Sequence, residues 1–336
     1  MISSQSNMSL EAIAASEEAK ARIADTFFET VLYQRIRERI FKVLQARESQ
    51  MRRGMFEQKG VCLIGAPGSG KSKMIAAAIR EFEQAAEASG GHKYGHKIVS
   101  VIVPGKASVR DTCRAILKEL GCPVNERSSE DYLFSYLREQ LPHRRIAAIH
   151  LDEVQDAGRY TTTETMKGFS KRFRNLMQVP PWPVCLILTS TLEGREFVNH
   201  DGTLARRLKP IEILPMTPAT DGAELKKSLD KLFEKAGLTD NGLSSVPEFM
   251  AIFMHAAAYR FGVAIEIAID AIGGALSDDG GFIGLEHFTD AYFDRTDCDE
   301  ELNPFVSEHW HAIDTTRLMD RISEERKEAL KKTKRK

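Results

Sequence analysis

The apolar positions along the chain change period several times, and each change marks an element. Near the start, Phe28, Leu32, Ile36, Ile40 and Leu44 recur at four-residue steps with Arg, Glu and Gln between them. That stripe predicts an amphipathic helix. Arg35, Arg37, Arg39, Arg47, Arg52 and Arg53 make its later part basic and read as a solvated face. From Val61 onward the pattern becomes short, continuous apolar runs: Val61–Gly65, Ile98–Val103, Ile146–Leu151, Val184–Thr189 and a brief Ile211–Leu214. Helix-period segments lie between them, one from about Ser72 to Ala88 and another ending near Leu117. Strands that are apolar on both faces and alternate with helices predict a five-stranded parallel sheet sandwiched by helices. Beyond Pro215 and Pro218 the strands stop. Ala223–Ala236, Pro247–Phe261 and Ala264–Leu276 read as three helices of a small all-helical unit. A last apolar patch, Asn303-Pro304-Phe305-Val306, precedes a charged helix. The chain thus divides into an N-terminal helical segment (1–55), an α/β core (56–215), a helical lid (216–295) and a tail (296–336).

Composition narrows the class. The 336 residues are 42% hydrophobic and 28% charged, which is ordinary globular usage and room for two domains. With 47 Lys+Arg against 48 Asp+Glu the net charge is −1, which excludes a polybasic protein but leaves space for a local nucleic-acid patch. The last ten residues carry six Lys or Arg and one Glu, so the tail is basic against an acidic remainder. Met1–Lys20 holds Glu11, Glu17 and Glu18 and lacks the apolar run of a secretory signal. The longest uncharged stretch, 175–192, is broken by Pro180, Pro181 and Pro183, so no membrane span is expected. Cys62, Cys113, Cys122, Cys185 and Cys298 form no C-x-x-C pair; buried free thiols in a reducing, cytoplasmic setting are expected.

The strongest chemical signal is Gly65-Ala66-Pro67-Gly68-Ser69-Gly70-Lys71-Ser72, a G-x-x-x-x-G-K-S run between a predicted strand and a predicted helix. Its glycines let the loop wrap so that backbone N–H groups point inward, and the helix N-terminus adds its dipole. Lys71 reaches the β- and γ-phosphates of a nucleotide and Ser72 ligates Mg²⁺. The second signal is the apolar run 146–151 ending in Asp152-Glu153. Adjacent strand residues face opposite ways, so the two carboxylates take different roles. Asp152 holds the metal, and Glu153 polarises a water for attack on the γ-phosphate. That pair argues for hydrolysis and against a small-molecule P-loop kinase. At the end of the 184–191 run, Thr191 or Ser190 is placed to contact the γ-phosphate or the water, with a strand-end cap as the plain alternative. In Asp201-Gly202-Thr203-Leu204-Ala205-Arg206-Arg207-Leu208, an arginine suits the active site of a neighbouring copy; of the two, Arg207 is preferred.

Together these motifs resemble the AAA+ ATPases over about residues 30–295. Within them the chain is similar to the TniB/TnsC family of transposition regulators. The resemblance lies in Val103-Pro104-Gly105-Lys106-Ala107-Ser108-Val109-Arg110 leading to Leu120-Gly121-Cys122-Pro123, in His150-Leu151-Asp152-Glu153-Val154-Gln155, and in Glu286–Tyr292 followed by Asn303-Pro304-Phe305. Transposon-encoded helicase loaders share some of these features. The lid departs from the usual Gly-x-x-Arg: Arg260 precedes Gly262, and Glu266 stands where a later basic residue is expected. The resemblance implies slow, assembly-dependent ATP hydrolysis with Mg²⁺. It implies a homo-oligomeric ring or filament on double-stranded DNA without sequence preference, bridging a target-site selector to transposase subunits. Lys106, Ser108 and Arg110 then become candidate backbone contacts. The alternatives are a helicase loader or replication initiator and a slow nucleotide-switched scaffold.

Overall fold

The computed structural model describes residues 10–105, 108–157, 163–199, 201–278 and 280–316. Two compact units result: Glu29–Leu214, and a second unit joining the described residues up to Phe28 to those from Pro215 on. The segment expected to be one N-terminal piece is therefore divided. Helix α1 (Leu10–Ala24) belongs with the C-terminal helices, whereas α2 (Val31–Arg52) belongs with the sheet.

Helix α2 starts where the Thr30 side chain accepts from the Tyr33 N–H. Its buried stripe runs through Tyr33, Ile36, Ile40, Val43, Leu44 and Met51. Arg47 also lies on this stripe, at 1% exposure, and not on the solvated face expected for the basic residues. Its Nε donates to Pro183 O and its Nη1 to Tyr94 O, both at 2.8 Å. Those carbonyls replace water at Nε and Nη1, which a four-residue period cannot foresee.

The sheet-bearing unit continues with β1 (Gly60–Ile64), α3 (Lys71–Ala88), β2 (Lys97–Ile102), α4 (Val109–Glu119), α5 (Glu130–His143) and β3 (Ile146–Asp152). Then come α6 (Thr163–Leu176), β4 (Cys185–Ser190), α7 (Gly194–Asn199), α8 (Gly202–Ala205) and β5 (Leu208–Glu212). The five strands are parallel, in the order β2-β3-β4-β1-β5. Every residue of β1, β3 and β4 is buried, as continuous apolar runs demand. Strand β5 holds Pro210, which lacks a ladder donor and is tolerated because β5 is an edge. Helices α5 and α6, absent from the sequence reading, cover the sheet through Leu133, Phe134, Leu137, Phe169 and Phe173.

The second unit adds α9 (Pro218–Ala236), α10 (Pro247–Ala256), α11 (Phe261–Ser277) and α12 (Leu285–Thr296). Helix α9 opens on a Thr217 cap with Pro218 in its first turn and closes on Gly237 at φ +72°. Helix α10 ends at Ala256, short of the expected Phe261, because Ala258 and Tyr259 turn the chain at φ +49° and +58°. Helix α1 packs on α11, with Ser16 Oγ donating to Gly273 O at 3.0 Å and Ile23 in the core. Phe249, Phe253, Phe288 and Phe305 make the aromatic centre of this core. Asn303 is fully buried: its Nδ2 donates to Thr289 O and its Oδ1 accepts from Phe305 N. No single described helix is long and apolar enough to cross a membrane. All five cysteines are free and buried. The charged helix expected after Val306, and the basic end, fall mainly in 317–336, outside the described residues.

Candidate nucleotide site

Parallel strands place their C-terminal ends together, so the loop after β1 and the carboxylates after β3 meet at one edge of the sheet, with β4 between them. Gly65 donates its N–H to Ser190 O at 3.1 Å. A Cβ on Gly65 would stand 2.9 Å from Ile213 Cβ and 3.0 Å from Ser69 Oγ, so only glycine fits. Gly68 and Gly70 turn the loop at φ +74° and +86°, a backbone region glycine enters without strain. Gly70 then caps α3. The buried Lys71 ammonium donates to Gly65 O at 2.9 Å and Ala66 O at 3.0 Å, which draws it back across the loop. Ser69 Oγ is buried with no hydrogen-bond partner.

Ser72 Oγ donates to Asp152 Oδ2 at 2.8 Å. The other oxygen, Oδ1, accepts from Thr189 Oγ1 and, at 3.0 Å, from the Glu153 N–H. Burial pushes the Asp152 carboxyl up, but Thr189, Ser72 and His150 outweigh it and hold the group below its ordinary range. Glu153 follows at φ +57°, a strained position for a residue with a Cβ. Its carboxylate accepts from Gln155 Nε2, while Gln155 Oε1 accepts from Ser190 Oγ at 2.7 Å and from Thr191 N at 3.1 Å. Gln155 therefore joins the tip of β4 to Glu153. Thr191 Oγ1 is buried without a partner. Ser190, the other candidate, is committed to Gln155.

The sequence alone assigns no role to His150, Thr189 or Gln155. Within the 146–151 run, His150 is the one polar side chain, two residues before Asp152 and so on the same face; that placement is the available signal. Its environment lowers its pKa to about 4 through burial, with Asp152 pulling the other way, so it stands neutral.

The remaining described candidates make their hydrogen bonds with groups outside this cluster. Arg207, 5% exposed, is tied inside its own chain: Nη2 to Glu57 at 2.7 Å and Gln178 at 2.9 Å, Nη1 to Thr203 O at 3.2 Å. Arg206 beside it is exposed. Ser108 caps α4 in a reciprocal box with Asp111, accepting from its N–H and donating to its Oδ2 at 2.6 Å. The Arg110 Nη2 donates to Glu126 O, as does Arg114 Nη2 at 3.0 Å. Lys106 lies outside the described residues.

The residues present fit ATP with Mg²⁺. The buried, unpartnered hydroxyls of Ser69 and Thr191 flank the loop and the β4 tip, and the Ser72–Asp152 pair offers the hydroxyl and carboxylate oxygens that a hard cation takes. Fold and site define the class: a P-loop core of the AAA+ fold whose residues fit ATP and Mg²⁺.

Comparison with known proteins agrees on the fold. Residues 52–196 match the family model of an AAA domain. No curated protein matches the chain. Among solved structures, the Aeropyrum pernix ORC2 protein (ADPNP-ADP complexes) is similar at 12% identity and TM-score 0.62, over 80% of this chain and 70% of that one. The Aeropyrum pernix ORC1 protein in complex with DNA follows at 18% identity and TM-score 0.57, over 82% and 67%. Cdc6p from Pyrobaculum aerophilum gives 14% identity and TM-score 0.56, over 81% and 70%. At these identities the likeness is one of fold.

Proposed function

We propose that this protein is an ATP-gated, DNA-binding regulator of transposition. It oligomerises on duplex DNA with ATP and bridges a target-site selector to transposase subunits, and hydrolysis releases the assembly. The observation that carries the reading is the divided carboxylate pair: Asp152 turned to Ser72, Glu153 turned to Gln155. One carboxylate for a metal and one for a water is the design of a hydrolase, and hydrolysis is what makes an assembly transient. The transposition-regulator resemblance of the 103–123, 150–155 and 286–305 segments supports the choice of partners.

When bound, ATP·Mg²⁺ would supply a transferable γ-phosphoryl group and a cation that neutralises charge developing on the phosphate oxygens. The loop N–H groups of Gly65–Ser72 and the Lys71 ammonium bind those phosphates. Ser72 and Asp152 hold the metal. Glu153 orients and polarises the attacking water, and Gln155 aims Glu153. Thr191 contributes its hydroxyl at the γ-phosphate. The arginine given to a neighbouring copy is Arg206, since Arg207 is spent on Glu57 and Gln178. Lys106 and Arg110 remain the DNA-backbone candidates, with Ser108 capping the helix that carries Arg110.

A second reading, a replication-initiation or helicase-loading ATPase, is favoured by the fold likeness to the ORC and Cdc6 proteins. The test is to mix the protein with ATP or a non-hydrolysable analogue and duplex DNA of arbitrary sequence, then image by negative stain. Rings or filaments that require nucleotide are expected; none under any nucleotide sinks the proposal. ATP-dependent capture of a replicative helicase in place of a transposase subunit turns the choice to the second reading.

A further inference from the structure

One buried group has no part in the chemistry above. His150, 3% exposed, stands on β3 with its Nδ1 2.7 Å from Ser100 Oγ of β2 and its Nε2 3.2 Å from Thr189 Oγ1 of β4. Thr189 Oγ1 in turn donates to Asp152 Oδ1. A hydroxyl has one proton, and Thr189 donates its own in the hydrogen bond to the carboxylate, so it can only accept from the imidazole. Nε2 therefore carries the ring proton, and Nδ1 accepts from the Ser100 hydroxyl. Every donor in the chain then points the same way: Ser100 to His150, His150 to Thr189, Thr189 to Asp152.

This one-way chain crosses three neighbouring strands, from the exposed edge residue Ser100 to the carboxylate beside Ser72. It occupies Asp152 Oδ1 together with the Glu153 N–H. The carboxylate plane is thereby fixed, and Oδ2 is left toward Ser72. An apolar residue at position 150 would leave Thr189 without a donor, free to turn its own proton elsewhere.

We propose that His150 is a positioning residue for the metal: through Thr189 it locks the Asp152 carboxylate so that Oδ2 and the Ser72 hydroxyl present one preformed pair of oxygens to Mg²⁺. The proposal rests on the ATP·Mg²⁺ reading of the site. It assigns His150 no proton transfer and no contact with substrate.

The test uses Mn²⁺ as the metal probe, its free concentration followed by electron paramagnetic resonance, with the full chain and a non-hydrolysable ATP analogue. Affinity for the same analogue without metal is measured in parallel. His150→Leu weakens Mn²⁺ binding by about tenfold or more, the usual cost of losing a group that orients a metal ligand, while metal-free nucleotide affinity stays unchanged. His150→Gln, whose amide can donate to Thr189 as Nε2–H does, recovers most of the loss. If His150→Leu folds and binds Mn²⁺ like the parent, or if His150→Gln is as weak as His150→Leu, the relay is wrong. Should His150→Leu fail to fold, Ser100→Ala decides: at an exposed edge it spares the core, and a loss of about twofold to threefold in Mn²⁺ affinity is expected from a weakened chain. No change in that variant overturns the proposal. A parent protein that binds the analogue but takes up no Mn²⁺ with it fails the site reading itself, an outcome distinct from failure of the relay.

Discussion

Ser72 and Asp152, 80 residues apart in sequence, share a 2.8 Å hydrogen bond from hydroxyl to carboxylate. One begins the helix after β1 and the other ends β3, and β4 separates those two strands. The bond shows that the loop and the carboxylate strand are set to the spacing at which a single cation can be shared. Replacing Asp152 by Asn keeps the shape but removes the charge. The expected result is an ATPase rate lower by about tenfold to a hundredfold at fixed Mg²⁺, partly recovered by raising Mg²⁺. A rate that ignores Mg²⁺ concentration in this variant removes Asp152 from the metal.

Glu153→Gln leaves the backbone and the metal oxygens in place and removes the group that polarises water. Turnover should fall by about 10²–10⁴-fold, the ordinary contribution of a general base. DNA assemblies formed with ATP should persist for as long as those formed with a non-hydrolysable analogue, as followed by light scattering after a chase. Loss of DNA assembly in this variant would instead give Glu153 a structural role.

Gln155→Leu breaks three hydrogen bonds at once and strands the Ser190 hydroxyl. An unsatisfied buried polar group costs about 1–3 kcal/mol, so the melting temperature drops by several degrees. The rate falls further than stability accounts for, with KM for ATP nearly unchanged, because Glu153 loses its orientation but the phosphate loop does not. An unchanged kcat argues against Gln155 as the link.

Arg206 and Arg207 separate cleanly. Arg207→Ala removes a buried guanidinium with partners on Glu57, Gln178 and Thr203 and costs stability, about 2 kcal/mol after allowing for the exposed Glu57. Arg206→Ala should leave the melting curve alone and lower hydrolysis only under conditions where copies assemble, by up to about 10³-fold if it serves a neighbour's site. The opposite pattern would return the assignment to Arg207.

Acid should act late on the α8 cap. Burial pushes Asp201 up, but the Leu204 and Thr203 N–H groups and Arg174 outweigh it and hold the carboxyl low. A carboxyl depressed in the folded state contributes stability that is present above its unfolded pKa and is lost as pH falls through the lower folded value. Asp201→Asn should therefore melt below the parent at pH 7, by about 1 kcal/mol for the weakened cap and ion pair, and the gap should close as pH falls through the depressed folded value. A gap that persists at low pH means that the charge is not the source.

Much of the core was legible in the chain. The phosphate loop could be read because its function is local: glycines for backbone room, a lysine and a serine at fixed spacing, a strand before and a helix after. The five apolar runs announced the strands because parallel strands buried on both faces have no polar positions to interrupt them. Helices α5 and α6 escaped because their apolar positions are interrupted by a proline or by charged residues and lie between stronger signals. Arg47 misled, since a guanidinium held by two distant carbonyls looks, in sequence, like any solvated arginine.

What the sequence determined alone was the kind of chemistry, because residue type and near-neighbour spacing suffice to build a phosphate nest and to end a strand in two carboxylates. What only the tertiary structure decided was who touches whom across the strands: His150 and Thr189 on Asp152, Gln155 on Glu153, Arg207 spent on Glu57, and α1 packed on α11. Those pairings depend on strand order and register, which are set by long-range packing and leave no period in the chain.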